Sequence, residues 1–191
     1  MVHQLLTAPQ EIRTDRLLLT PVTPTDIDAL HVVYADARTW THLPSGRHAS
    51  RAQTVDLVQR KIGGRVRHGL GSWTIRDLQS GVVLGVGGVD MTAGGVWNLG
   101  YRLAPSAWGH GHATAVARAA TTAAHDTAPG VPVTGRVLTN NPASARVLAN
   151  AGLALVWQGT TAAPTPDDVE RQVWADRVLT DQQHAWLVAN A

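Results

Sequence analysis

The spacing of apolar positions along the 191-residue chain changes several times, and each change predicts an element. Arg16-Leu-Leu-Leu-Thr20 is a short apolar run stopped by Pro21, which predicts a strand. Pro24-Thr25-Asp26 then opens a helix through Asp36, capped by Thr23 or Thr25, with Leu30, Val33 and Tyr34 on its buried face. A second helix is expected from Ser50 to His68. Val55, Leu57, Val58 and Ile62 are its apolar contacts, and Gly63-Gly64 weakens its later half.

A β-rich block follows, with strands expected over Ser72–Arg76, Val82–Met91 and Gly95–Leu103 and glycine turns between them. From His112 to Asp126 the chain is nearly all Ala, Val, Thr and Arg, without Gly or Pro. That predicts a helix slim enough to lie close on a sheet. Val131–Leu138 reads as a strand, and Pro142–Asn150 as a short helix closed by Gly152. Leu153–Gln158 and Val169–Ala175 are two more strands, and Thr180–Asn190 a last helix. The sum is a single α+β domain over residues 1–191, with residues 1–13 as a loose arm. Its seven strands are mostly antiparallel and flanked by helices.

Composition narrows the function classes. Sixteen Lys and Arg against 14 Asp and Glu leave a net charge of +2, and there is no cysteine. Disulfides, thiolate metal sites and cysteine nucleophiles are therefore excluded. The pI of 9.7 hints at nucleic acid, but one lysine and two tyrosines leave little that titrates between neutrality and pH 9. The high value reflects missing buffering groups, and Arg60, Lys61, Arg65 and Arg67 read as a solvated helix face. Neither a nucleic acid nor a membrane is an expected partner. No apolar run reaches membrane-spanning length, and the charged N-terminal stretch lacks a signal peptide's apolar segment, so the cytoplasm is the expected location.

The chemistry is carried by Leu99-Gly-Tyr-Arg-Leu-Ala-Pro-Ser-Ala-Trp-Gly-His-Gly-His-Ala-Thr114. A strand ends, a glycine loop follows and a helix begins. Helix starts leave backbone N–H groups unpaired and carry partial positive charge, so this loop suits a pyrophosphate. A P-loop would need Gly-Lys-Ser/Thr, and there is no lysine here. A dinucleotide fingerprint would need Gly or Ala where Thr114 stands, and an acidic residue further on.

Trp108-Gly109-His110-Gly111-His112-Ala113 resembles the acetyl-CoA loop of the GNAT N-acetyltransferase superfamily, Arg/Gln-x-x-Gly-x-Gly/Ala, with Trp108 replacing Arg/Gln. Gly100 through Thr114 is similar to the segment of one subgroup, the ribosomal-protein N-terminal acetyltransferases. Asn141-Pro-Ala-Ser144 leading to Gly152-Leu153, and Thr14-Asp-Arg-Leu-Leu-Leu-Thr20, resemble two further segments of that subgroup. The resemblance implies a GNAT fold splayed between its fourth and fifth strands, acetyl-CoA as co-substrate, no metal, and a monomer or homodimer. The backbone of Tyr101, Arg102 and Leu103 would then hold the pantetheine arm. Trp108, Gly109, His110, Gly111, His112 and Ala113 would cradle the pyrophosphate, with the Thr114 hydroxyl helping. Asn141 and Ser144 would lie near the thioester. Read without the resemblance, Gly109 and Gly111 are also compatible with plain turns, Asn141 with a helix N-cap and Ser144 with a surface position.

The implied reaction is direct attack of a primary amine, either a protein N-terminus or a small molecule, on the thioester. Many relatives carry Glu at the position of Asn98, which cannot take a proton, and Asp90 is the nearest carboxylate by sequence. Many also carry a Tyr acid where this chain has Leu148, which leaves Ser144 as the substitute. A missing base favours an amine of low pKa, since an α-amine titrates at about 8 and a lysine amine at about 10.4. The acceptor pocket is expected from Tyr34, Trp40 and His42 on one side. Asp167, Asp168 and Glu170 stand on the other, either as an acidic group for a cationic substrate or as a solvated turn. The rival reading is a catalytically degenerate acyl-CoA-binding domain.

Overall fold

The computed structural model describes residues 11–160 and 169–190. Its strands are β1 (Ile12–Arg13), β2 (Leu17–Pro21), β3 (Trp73–Asp77), β4 (Val83–Met91), β5 (Trp97–Leu103), β6 (Val133–Leu138), β7 (Ala154–Gly159) and β8 (Arg171–Ala175). Its helices are α1 (Ile27–Ala35), α2 (Arg51–His68), α3 (His112–Thr127), α4 (Pro142–Asn150) and α5 (Asp181–Ala189). The strands form one sheet in the order β1-β2-β3-β4-β5-β6-β8-β7. Every pair is antiparallel except β5–β6. The expected mixed, mostly antiparallel α+β sheet is present, with one strand more than its seven. The addition is β1, inside the stretch read as a loose arm. Thr14 turns the chain there, its Oγ1 accepting from Leu17 N–H at 3.0 Å and its own N–H donating to the Leu17 carbonyl at 2.9 Å. Two residues carry too little pattern to be read as a strand.

The helix ends follow their local chemistry. Ser50 caps α2 with Gln53 reaching back to its N–H at 3.1 Å, and Asn141 caps α4, accepting from Ser144 N–H at 3.2 Å. Leu30, Val33 and Tyr34 are the buried residues of α1, as the spacing predicts. On α2 the spacing succeeds at Val58, while Thr54 takes the second buried position and accepts from or donates to both His31 and His48.

The sheet has a core on each face. Alternation along β5 sends Trp97, Leu99 and Leu103 toward α3, where they meet Val116, Ala117 and Ala120. Leu30 and Tyr34 of α1, Val58 of α2 and Val86 of β4 pack on the opposite face. Val96, Val173 and Leu187 seat α5. Trp73 and Trp97 are core, while Trp157 and Trp174 are only half-buried.

The α1 side is pinned by a buried carboxylate. Asp26, 2% exposed, accepts from Thr74 Oγ1 at 2.8 Å and Thr23 N–H at 2.9 Å, and pairs with Arg76. Asp26→Ala leaves a mostly buried guanidinium and two donors without their acceptor. It should lower stability by about 3 kcal/mol, read as a shift of the urea midpoint without change of slope.

Candidate functional site

The site begins where two strands part. β5 and β6 pair in parallel only through Trp97–Val133, Asn98–Thr134 and Leu99–Gly135. Beyond Leu99 they diverge, while β4 keeps β5 to Leu103 and β8 keeps β6 to Leu138. This is the expected splay between the fourth and fifth strands, counted without β1. Alternation sends the side chains of the adjacent Tyr101 and Arg102 to opposite faces. Tyr101 points toward α4, and its hydroxyl donates to Ser144 Oγ at 3.2 Å. Arg102 points the other way, with its guanidinium 3.5 Å from the ring centre of Trp40 and its Nη1 bonded to the Thr39 carbonyl.

Two clefts of about 480 and 490 Å³ open on the two sides of the splay. Five residues line both: His42, Tyr101, Arg102, Asn141 and Ser144. The first cleft runs to the glycine loop, where Leu103, Trp108, Gly109, Gly111, His112, Ala113 and Thr114 line it. Gly109 and Gly111 both adopt φ of +77°, a left-handed conformation that glycine takes without strain. The first bond inside α3 is from Ala115 N–H to the Gly111 carbonyl at 3.0 Å, so the amides just ahead are not used by the helix. Trp108 Nε1 donates to the Leu103 carbonyl at 3.0 Å, tying the loop back to β5, while the residue stays 48% exposed. These amides, the helix dipole and the nearby Arg146 fit a pyrophosphate-bearing ligand.

The two loop histidines divide. Their rings stack at 5.6 Å and 19°. His112 lines the loop cleft. Both histidines also line a third cleft of about 510 Å³ with Asp15, Arg16 and Asp77, and His110 does not line the loop cleft. Burial, followed by the charges of His110 and Arg16, lowers the His112 pKa. No group of three His, Cys, Asp or Glu among the described residues could hold a metal ion.

The second cleft is lined by Asn98, Arg136, Arg171 and Asn190 as well as the five shared residues. Asn98 Oδ1 accepts from Arg136 Nε at 3.2 Å, and Arg136 Nη1 also binds the Asn190 carbonyl. Arg136 sits under two charge penalties: burial first, then the neighbouring Arg171, both lowering its pKa. Arg102 is lowered by burial. No aspartate or glutamate lines either cleft among the described residues.

His42 stands at the junction. Its Nε2 lies 3.5 Å from Arg102 Nη1, its ring stacks over Trp40 at 6.4 Å, and its carbonyl accepts from Asn140 Nδ2 at 3.2 Å. Burial, then the Arg102 charge, pushes its pKa below the usual 6.5. The Tyr101 phenol moves the opposite way, raised by burial against the pull of Ser144 and Arg102.

The structure therefore brings Ser144 and Asn141 to the gap, and Asn98 to the second cleft only. Asp90 is not at either cleft; it pairs with Lys61 and accepts from Ser72 Oγ at 3.3 Å. Tyr34 is buried between Trp40 and His48, with ring centres 5.6 and 4.5 Å away, and lines neither cleft. Trp40 acts from below, as the platform for Arg102. Glu170 accepts from Gln158 Nε2 at 2.6 Å, away from both clefts. Asp167 and Asp168 lie outside the described residues. Sequence reasoning missed the Tyr101 hydroxyl, the Arg102 side chain, Arg136 and Arg171. The polar positions inside β6 and β8 were the available signal.

Comparison with known proteins points the same way. Residues 16–154 match the family model described as an acetyltransferase (GNAT) domain. An acetyltransferase from Agrobacterium tumefaciens is similar at 24% identity and a TM-score of 0.72, covering 88% of this chain and 94% of that one. A GNAT-family acetyltransferase from Bacillus anthracis is similar at 17% identity and a TM-score of 0.71, covering 86% and 96%. A ribosomal L7/L12 α-N-protein acetyltransferase in complex with coenzyme A is similar at 20% identity and a TM-score of 0.72, covering 90% and 97%. With a splayed sheet, a glycine loop opening α3 and a family match over most of its length, the chain belongs to the GNAT acetyltransferases.

Proposed function

We propose that the protein is an acetyl-CoA-dependent N-acetyltransferase acting on a primary amine as a monomer or homodimer. The observation that carries this reading is the set of five side chains shared by the two clefts, with an anion cradle at the far end of one of them. Acetyl-CoA, when bound, supplies a thioester carbonyl carbon and a thiolate leaving group. The backbone amides of Gly109, Gly111, His112 and Ala113 hold its pyrophosphate, and Trp108 fixes the loop that carries them. The β5 backbone at Tyr101–Leu103, open on its β6 side, holds the pantetheine arm. The amine approaches through the second cleft, and both reactants meet at the splay, where proximity alone is worth several kcal/mol.

The proton leaves by His42. Asn98 has no basicity, and Asp90 is committed to Lys61. His42 is the titratable base at the junction, and its lowered pKa keeps its imidazole free of a proton at pH 7. On the other face Tyr101 donates to Ser144, so the Ser144 hydroxyl proton is free to be shared with a departing thiolate. A thiolate, with a pKa of about 8.5, needs little more help than that.

The second reading, an acyl-CoA-binding domain without turnover, is favoured by the lack of any carboxylate lining the clefts among the described residues. Calorimetric titration with acetyl-CoA, followed by thiol release across an amine panel, separates the two. Binding with turnover is expected. Binding with no turnover on any amine gives the domain reading, and no binding sinks both.

Gly111→Val places a β-branched residue at φ +77°, and coenzyme A should bind about tenfold more weakly by calorimetry. The pH profile has a defined sign. Because the His42 pKa is lowered, kcat/KM should hold as pH falls to 6.5 apart from the amine's own titration, then drop further as His42 takes up a proton. His42→Gln should lower kcat/KM by about a hundredfold and abolish that lower step while keeping the amine's.

A further inference from the structure

Among the described residues the charged side chains that line the second cleft are arginines; Asp167 and Asp168, read from the sequence either as an acidic group or as a solvated turn, lie outside them. Arg102, Arg136 and Arg171 all line this cleft. Their bonded partners among the described residues are neutral. Arg102 meets the Thr39 carbonyl and the Trp40 ring, and Arg136 the amide oxygen of Asn98 and the Asn190 carbonyl. Arg171 Nε is buried with no hydrogen-bond partner among the described residues. None of the three forms an ion pair there.

Three guanidinium groups in one cleft of about 490 Å³ are costly to fold. Each loses hydration, and Arg171 repels Arg136. A ligand that brings negative oxygens offsets both penalties, and the planar fork of a guanidinium suits carboxylate and phosphate oxygens. The pyrophosphate cradle cannot be the purpose of Arg136 and Arg171. Arg136 and Arg171 line only the second cleft, across the splay from Gly109 and Gly111.

We infer that the acceptor is a small amine carrying an anionic group, a carboxylate or a phosphate, held by Arg136 and Arg171 with Arg102 at the gap. The inference rests on the acetyl-transfer reading for the amine end, and on the arginines alone for the anionic end. The amine nitrogen then lies toward His42 and the splay, with the charged oxygens at the distal end of the cleft. This orientation excludes polyamines, whose far end would meet three like charges.

The test separates binding from turnover. Protein saturated with coenzyme A is titrated calorimetrically with matched pairs: amino acids against their amides, and aminoalkyl phosphates against the corresponding amino alcohols, with spermidine as a polycation. The anionic member of at least one pair should bind at least about tenfold tighter, and the pair concerned tells carboxylate from phosphate. Arg136→Gln and Arg171→Gln should each remove most of that preference, and Arg136→Lys should restore part of it. Coenzyme A affinity should stay unchanged in all three, which also reports that the variants fold. Equal affinity within every pair, tighter binding of spermidine, or a preference that survives both glutamine variants overturns the inference. Thiol release is read separately. An arginine-dependent anion preference with no acetylation of any amine sinks the acetyl-transfer reading and leaves the anion site. Equal acetylation of anionic and neutral amines does the reverse.

Discussion

The molecule depends on where one parallel ladder stops. β5 and β6 share three residue pairs and then separate, yet neither strand is left without a neighbour. β4 stays paired with β5, and β8 with β6, on their outer sides. The separation therefore costs only the inner-edge backbone bonds beyond Leu99, and those groups become the polar lining of a gap. The last shared rungs are reinforced by side chains. Thr134 Oγ1 donates to the Trp97 carbonyl at 2.8 Å, and Arg136 to Asn98. On the α4 side the wedge is filled by Leu148, which sits so close to β6 that a side-chain carbon at Gly135 would lie 2.6 Å from it. That glycine lets a short helix close down on the sheet, and it explains how an apolar residue replaces the tyrosine of many relatives without leaving a hole.

The gap has an uneven electrostatic character. Its cations are numerous and its carboxylates absent among the described residues, and two titratable groups there, His42 and Tyr101, are ones whose neutral forms are favoured. Burial and then Arg102 disfavour a charged imidazole at His42, and burial disfavours a charged phenol at Tyr101. A carboxylate base would have been neutralised by pairing with the arginines. A neutral imidazole avoids that pairing and stays available for a proton.

Much of this was legible in the sequence because it is local. Pro142 at the start of α4, the glycine loop before α3 and the buried triplet Leu30, Val33, Tyr34 all follow from propensity and period, and the helix bounds agree within a residue or two except at the start of α1, where Pro24–Asp26 form a 3-10 turn and the α-helix begins at Ile27. The resemblance carried by three motifs in order implies the splay, which the short β5–β6 ladder shows. What stayed hidden depends on long-range registration. Arg102 meets Thr39 across 63 positions, and Arg136 and Arg171 reach one cleft because β6 pairs with β8, with Arg136 opposite Val173. Asp90 looked free as a number in a sequence, but Lys61, 29 positions away, already holds it. Tyr34 and Trp40 were placed on the right side of the molecule, but packing makes them a floor beneath the cleft and not its wall. Strand phase adds a feature the sequence pattern does not show: the side chains of Tyr101 and Arg102 reach the two faces of the gap.

Arg102 belongs to both clefts at once, and it is also the tether that holds the segment carrying Thr39 and His42 against the sheet. An occupant of either cleft therefore changes the field and the freedom of the same guanidinium that the other occupant meets. Thermodynamic linkage makes that influence mutual: whatever factor the first ligand imposes on the affinity of the second, the second imposes on the first. Any ligands of the two openings of this small sheet are thus linked through one side chain resting on a tryptophan.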